Sequence, residues 1–225
     1  MPTLIAPAPT GKVYPKLAAD SYTARCYQMI DLGCHQEEFD GVKKDSLTRK
    51  IWLGFEFPTE KEVFDEAKGL EPYTMGKEYT FSMGPKATLR KDLTNWRGKS
   101  WTEEEAKLFD VSNLLGAPGQ VSVTDYTKQT GEPGVKITTI GRVPKGLVCD
   151  PQINATQVLS LSPDEFDRAV FDRLPKFLQD KIKVSPEYVK LINPHPATTP
   201  QAPPVNDAHD LGQFTPEDEG SDLPF

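Results

Sequence analysis

The sequence predicts a mainly β fold with α-helical additions, and three observations carry that expectation. Five stretches alternate apolar with polar residues, four others hold apolar residues at helical spacing, and the first two helical stretches interrupt the strands after the third. Proline and small polar residues dominate both ends, so regular structure is expected between about residues 19 and 192.

The first strand is read in "DSYTARCYQMIDLG", with Ala24, Cys26, Ile30 and Leu32 on one face and Arg25, Tyr27 and Met29 on the other. "CHQEEFDGVKKDSL" is polar throughout and reads as a long connection. "TRKIWLGFEF" is the clearest strand, setting Ile51, Leu53, Phe55 and Phe57 against Lys50, Trp52, Gly54 and Glu56. "PTEKEVFDEAKGLEP" reads as a loop or short helix, and "GKEYTFSM" gives a third strand with Tyr79, Phe81 and Met83 on one face.

The period then becomes helical. Leu89, Leu93 and Trp96 recur at i, i+4 and i+7, with Pro85 suited to the first helical turn and Gly98 to a stop. Thr102 and Glu105 form a capping box for a second short helix. "GQVSVTDYT" and "GVKITTIGRV" follow as two strands joined by "KQTGEP", with Val121, Val123, Val135, Ile137 and Val143 inward. Ser162, Pro163 and Glu165 mark a helix start, and Pro175 breaks that helix and starts another. Three strands, a helical insertion and a two-strand hairpin is the order of a five-stranded OB-fold barrel, here with C-terminal helices added. Five such strands also suit a small sandwich or an SH3-like barrel.

The expected organisation is a flexible arm over residues 1–18, a barrel over 19–150, a helical extension over 151–192 and a disordered, Pro-rich acidic tail over 193–225. The net charge of -7 is unevenly placed. All 26 Lys and Arg precede residue 195, and six of the 33 acidic residues follow it, which leaves 27 acidic against 26 basic side chains in the body. A near-neutral body therefore carries a tail of -6, which is an interaction signature. No apolar run approaches membrane-spanning length, and the first residues lack the basic and apolar regions of a signal peptide. A cytoplasmic protein with three reduced cysteines is expected.

Catalytic patterns do not emerge. Two of the three histidines, His195 and His209, lie in the tail, and Cys34-His35 is two ligands short of a tetrahedral site. Walker-type glycine loops, nucleophile elbows and HExxH are all missing, so neither enzyme activity, metal nor cofactor is expected.

The side of the first two strands away from the core presents Arg25, Tyr27, Lys50 and Trp52. An exposed aromatic beside a cation suits sequence-tolerant binding of single strands, where bases stack and phosphates are neutralised. Lys77, Tyr126 and Lys128 extend that face. The same aromatics also suit packing beneath the C-terminal helices.

The chain ends in "PEDEGSDLPF". Asp222, Leu223, Pro224 and Phe225 give a proline-stiffened apolar group and a terminal carboxylate behind an acidic lead, which fits an apolar pocket ringed by cations. "EDEGSDLPF" resembles the acidic tip of bacterial single-stranded DNA-binding proteins, with Pro224 and Phe225 matching their last two residues. "YTARCYQMIDLG", "RKIWLGFEFPTE" and "LRKDLTNWRGK" are similar to a group of phage-encoded single-stranded DNA-binding proteins of OB fold, over roughly residues 20 to 190. The resemblance implies a non-catalytic protein of the host cytoplasm that coats single-stranded DNA during phage replication, recombination and repair. It further implies recruitment of replication and recombination proteins through Phe225. It makes a homo-oligomer a candidate assembly, although the helical additions have no counterpart in the compact bacterial domain. The rival expectation is a protein-interaction adaptor, in recombination or virion assembly, that binds no nucleic acid.

Overall fold

The computed structural model describes residues 15–193, apart from Asp40 and Gln129. The tail residues Asp222, Leu223, Pro224 and Phe225, and most of the expected N-terminal arm, lie outside the described residues. The arm overlaps them at 15–18, where Leu17 is buried in the core.

The chain forms β1 (Ser21–Phe39), β2 (Val42–Asp65), β3 (Gly69–Thr80), α1 (Thr88–Arg97), α2 (Glu103–Leu108), β4 (Pro118–Thr127), β5 (Pro133–Gly141), β6 (Gln157–Leu159), α3 (Arg168–Arg173), α4 (Lys176–Lys183) and α5 (Pro186–Ile192). A 3-10 turn over Val111–Leu114 precedes β4. The sheet runs β3-β2-β1-β4-β5 through antiparallel pairs, and β6 adds to β1 in parallel. The fold is mainly β with short helices, as expected.

The expected closed barrel is an open sheet: among the described residues no ladder joins β3 to β5. Helix α1 packs against both of those edges. Its Asp92, buried, accepts hydrogen bonds from Lys77 Nζ at 2.7 Å and from the Tyr79 hydroxyl at 2.8 Å. Lys77 also donates to the Thr138 carbonyl of β5 at 2.7 Å, so a side chain spans the gap that a strand pair would fill. Leu89, Leu93 and Trp96 bury as their spacing requires, and α1 ends at Gly98. The Thr102–Glu105 capping box is present.

Two apolar cores lie on opposite sides of β1. Ala24 and Cys26 join Ile51, Leu53, Phe55, Phe57, Val121, Val123, Ile137 and Ile140 in the first. Ile30 and Leu32, expected on the same face, belong instead to a second core with Leu159, Leu161, Phe171, Leu178, Ile182 and Tyr188. The cause is a bulge. Cys26 pairs with Phe55 and Gln28 with Gly54, so Tyr27 is the extra residue, and the side chains from Gln28 to Leu32 change sides before the next register shift, between Asp31 and Gly33. Met29 accordingly packs on the first core.

Four other expectations change. The polar stretch after Gly33 continues β1 and β2 as a hairpin arm, and "PTEKEVFDEAKGLEP" is the β2–β3 hairpin, which moves β3 to begin at Gly69 and end at Thr80. Both arms extend past the cores, so their faces carry polar residues and show no apolar alternation. Helix α3 starts at Arg168, capped by the Asp167 carboxylate, which accepts from the Ala169 and Val170 N–H groups; Ser162–Glu165 is a turn. Val143 lies beyond β5.

Candidate functional site

Between Leu53 and Phe55, which point into the first core, Gly54 must face the other way. It pairs with Gln28 of β1 on one side and Gly76 of β3 on the other, and Gln28 in turn pairs with Gln157 of β6. One lateral row across four strands therefore reads Gln157, Gln28, Gly54, Gly76. The glycines are needed for close approach. A Cβ on Gly54 would sit 2.8 Å from the Gln28 side chain, and one on Gly76 would sit 2.2 Å from the Trp52 indole. The Gln28 amide and the Trp52 ring thus lie against bare backbone.

Above this row is a cavity of about 280 Å³ walled by Tyr27, Trp52, Met75, Arg173, Pro175 and Phe177. Phe177, from the first turn of α4, is 58% exposed and meets Trp52 edge-on at 5.5 Å between centroids. Tyr27, the bulged residue, also borders a second cleft of about 480 Å³ that continues past Phe64, Tyr73 and Val135. Tyr27, Thr74, Met75 and Gln157 line both, so the two form one trough with aromatic groups along its length. Burial pushes the Tyr27 phenol up from its ordinary value, and a hydrogen bond with Thr74 partly offsets this.

The trough is delivered by a pair of opposite charges, a half-buried Arg25 and a buried Glu56. Arg25 and Glu56 are register partners on β1 and β2. The Arg25 guanidinium donates to the carbonyls of Asp150 at 2.6 Å, Gly116 at 2.8 Å and Cys149 at 3.0 Å. Glu56, 0% exposed, accepts from the N–H groups of Ile153 at 2.6 Å and Asn154 at 2.8 Å. Together they pin the segment after β5 against the sheet, which carries the chain into β6 and sets Gln157 beside Gln28.

The residues expected to form the site divide accordingly. Tyr27 and Trp52 come together around the cavity, with Trp52 also packed on the second core. Arg25 is a structural clasp. Lys50 bonds Glu37 and the Thr80 hydroxyl, and Lys77 is held by Asp92 and Thr138, so both ammonium groups are engaged inside the fold. Tyr126 and Lys128 lie on the β4–β5 hairpin, outside the cavity. There Tyr126 stacks on Gly134 with Lys136 5.4 Å from its ring centroid, and Lys128 pairs with Glu132 at 3.1 Å.

Beyond Tyr27 and Trp52 the cavity residues escaped the sequence reading, among them Gln28, Gln157, Arg173 and Phe177. Phe177 is marked only as one apolar member of a helix, and a three-residue strand such as β6 has too short a period to register. Arg173 donates its Nε–H to the Ala169 carbonyl and lines the cavity. Among the described residues no group of three or more acidic, His or Cys side chains is placed to hold a metal, and no helix is long and apolar enough to cross a membrane. No family model, curated protein or solved structure matches the chain.

Proposed function

We propose that the protein binds single-stranded DNA along the trough over β1, β2 and β3, and that the acidic tip Asp222–Phe225 recruits replication or recombination proteins. One observation carries the reading: Trp52, Tyr27, Phe177 and Tyr73 border one continuous open groove, Trp52 and Tyr73 with their other sides packed on the two cores. Bases stack on such side chains at about 1–3 kcal/mol each, with little regard to sequence. The strand order β3-β2-β1-β4-β5 with α1 between β3 and β4 supports an OB-type barrel, whose second and third strands and β4–β5 loop are its usual ligand surface. Arg173, Lys16 and the hairpin's Lys128 and Lys136 would meet the phosphates. The tip's role rests on its sequence alone.

A specific observation favours the rival adaptor reading: Arg25, Lys50 and Lys77, three of the four cations expected to bind phosphate, are committed to internal bonds. Titrating the full chain with oligo-dT while following tryptophan fluorescence separates the two. Saturable, salt-sensitive quenching is expected, weakened about tenfold by Phe177→Ala if that ring holds one base, and retained when residues 217–225 are removed. Phe177 is largely exposed, so its loss leaves the fold standing. A folded protein that ignores oligo-dT at low salt overturns the single-strand reading and moves the search to protein partners.

A further inference from the structure

We propose that the cavity over Gly54 and Gly76 is a pocket for one unstacked nucleobase, whose Watson–Crick edge is hydrogen-bonded by the paired amides of Gln28 and Gln157. The inference rests on the single-strand reading above and specifies what that face grips.

The Gln28 Nε2 donates to Gln157 Oε1 at 2.7 Å. Each amide has a second group left over: the Gln28 carbonyl and the Gln157 NH2, neither with a protein partner among the described residues. Gln28 is 5% exposed, yet its oxygen is not sealed in. Trp101 Nε1 is the one fully enclosed side-chain polar atom without a partner among the described residues, so the Gln28 oxygen opens onto space, and the cavity is the space that Gln28 lines. The two amides therefore offer one acceptor and one donor next to each other, beside the Trp52 ring. The cavity volume sits just under the roughly 300 Å³ where small-ligand pockets begin, which suits a single planar heterocycle.

This pairing has a property that single residues lack. If both amides rotate by half a turn, the bond between them is preserved with its direction reversed, and the free acceptor and donor exchange places. Adenine and cytosine carry an amino donor beside a ring-nitrogen acceptor. Guanine and thymine carry a carbonyl acceptor beside a ring N–H. Either arrangement finds its complement in one of the two amide states, so the pocket would require a base with an open Watson–Crick edge while accepting any of the four. Gly54 and Gly76 let the Gln28 amide and the Trp52 ring lie close against the sheet, and Trp52 and Phe177 supply apolar walls.

The test compares the full-length protein's affinity for oligo-dT with its affinity for the same length of N3-methylthymidine, which keeps the phosphates and the stacking face and blocks the edge. The methylated strand is expected to bind about tenfold more weakly, and oligo-dC to bind about as well as oligo-dT. In Gln157→Leu the two thymidine strands should bind alike, both near the weaker value. Binding of oligo-dT with no difference for the methylated strand overturns the pocket and leaves the stacking trough intact. A strong preference for dT over dC overturns the amide exchange. If oligo-dT fails to bind the folded wild type, both this inference and the single-strand reading fall. Should Gln157→Leu not fold, the wild-type comparison alone decides.

Discussion

Glu37 shows how one residue ties the hairpin arm to the sheet. Its carboxylate accepts from Lys44 and Lys50, and those two bonds hold it down at about 2, well below its ordinary value of 4.5. Because the folded value lies below the unfolded one, the ionised group stabilises the fold above about pH 4.5, and that contribution fades as pH falls towards about 2. Lys50→Met should flatten the melting temperature's decline across this window, and the Glu37 carboxyl carbon should titrate higher by NMR. Parallel melting curves for wild type and variant would refute the coupling. Lys50 also shows what was legible at this scale. Its facing away from the core, with Trp52, was readable from the alternation of β2, because Ile51, Leu53, Phe55 and Phe57 all bury. Its partner was not, since Glu37 lies in a polar run that gives no register. Cys26 makes the complementary point: burial pushes its thiol up to about 12, so a residue that reads as a free cysteine is chemically quiet.

Elements were legible where burial imposes a period and illegible where it does not. Helix α1 and the 48–57 part of strand β2 each carry an apolar face against the first core, and the buried positions of both were readable. The hairpin arms have no core beside them, and the bulge at Tyr27 turns one alternation into two half-patterns of opposite phase, which no single period describes. Helix α3 gives the sharpest case of competing signals. Ser162, Pro163 and Glu165 satisfy the sequence rule for a helix start, yet the carboxylate that caps the helix is Asp167, with the Ala169 and Val170 N–H groups at 2.8 and 3.1 Å. Asp167→Ala should therefore lower the unfolding free energy by about 1 kcal/mol, while Ser162→Ala leaves it nearly unchanged. Urea denaturation of the two variants checks this. Equal losses would mean that the turn at 162 contributes to stability as much as the cap.

At the scale of the molecule the question is how much of the binding can be electrostatic. The body is nearly neutral by count, and its cations are unevenly available. Arg25, Lys50 and Lys77 hold the fold together from within, whereas four others lie at the surface at or beside the trough. These are Lys16, bonded to the Pro133 carbonyl, Lys128, paired with Glu132, Lys136 beside Tyr126, and Arg173, whose Nε–H donates to the Ala169 carbonyl. For a single strand the logarithm of affinity falls with the logarithm of salt by about 0.7 per phosphate neutralised, so four such contacts give a slope no steeper than about -3. The remaining affinity must come from stacking and from the base edge, which salt leaves largely untouched. Arg25→Met separates fold from binding. It removes three charge-assisted bonds to carbonyls and should lower the melting temperature, while the variant that still folds keeps the wild-type salt slope. A measured slope steeper than about -5 would require more phosphate contacts than the described face offers. It would move the main binding surface away from the trough, onto cations such as those of the β1–β2 arm.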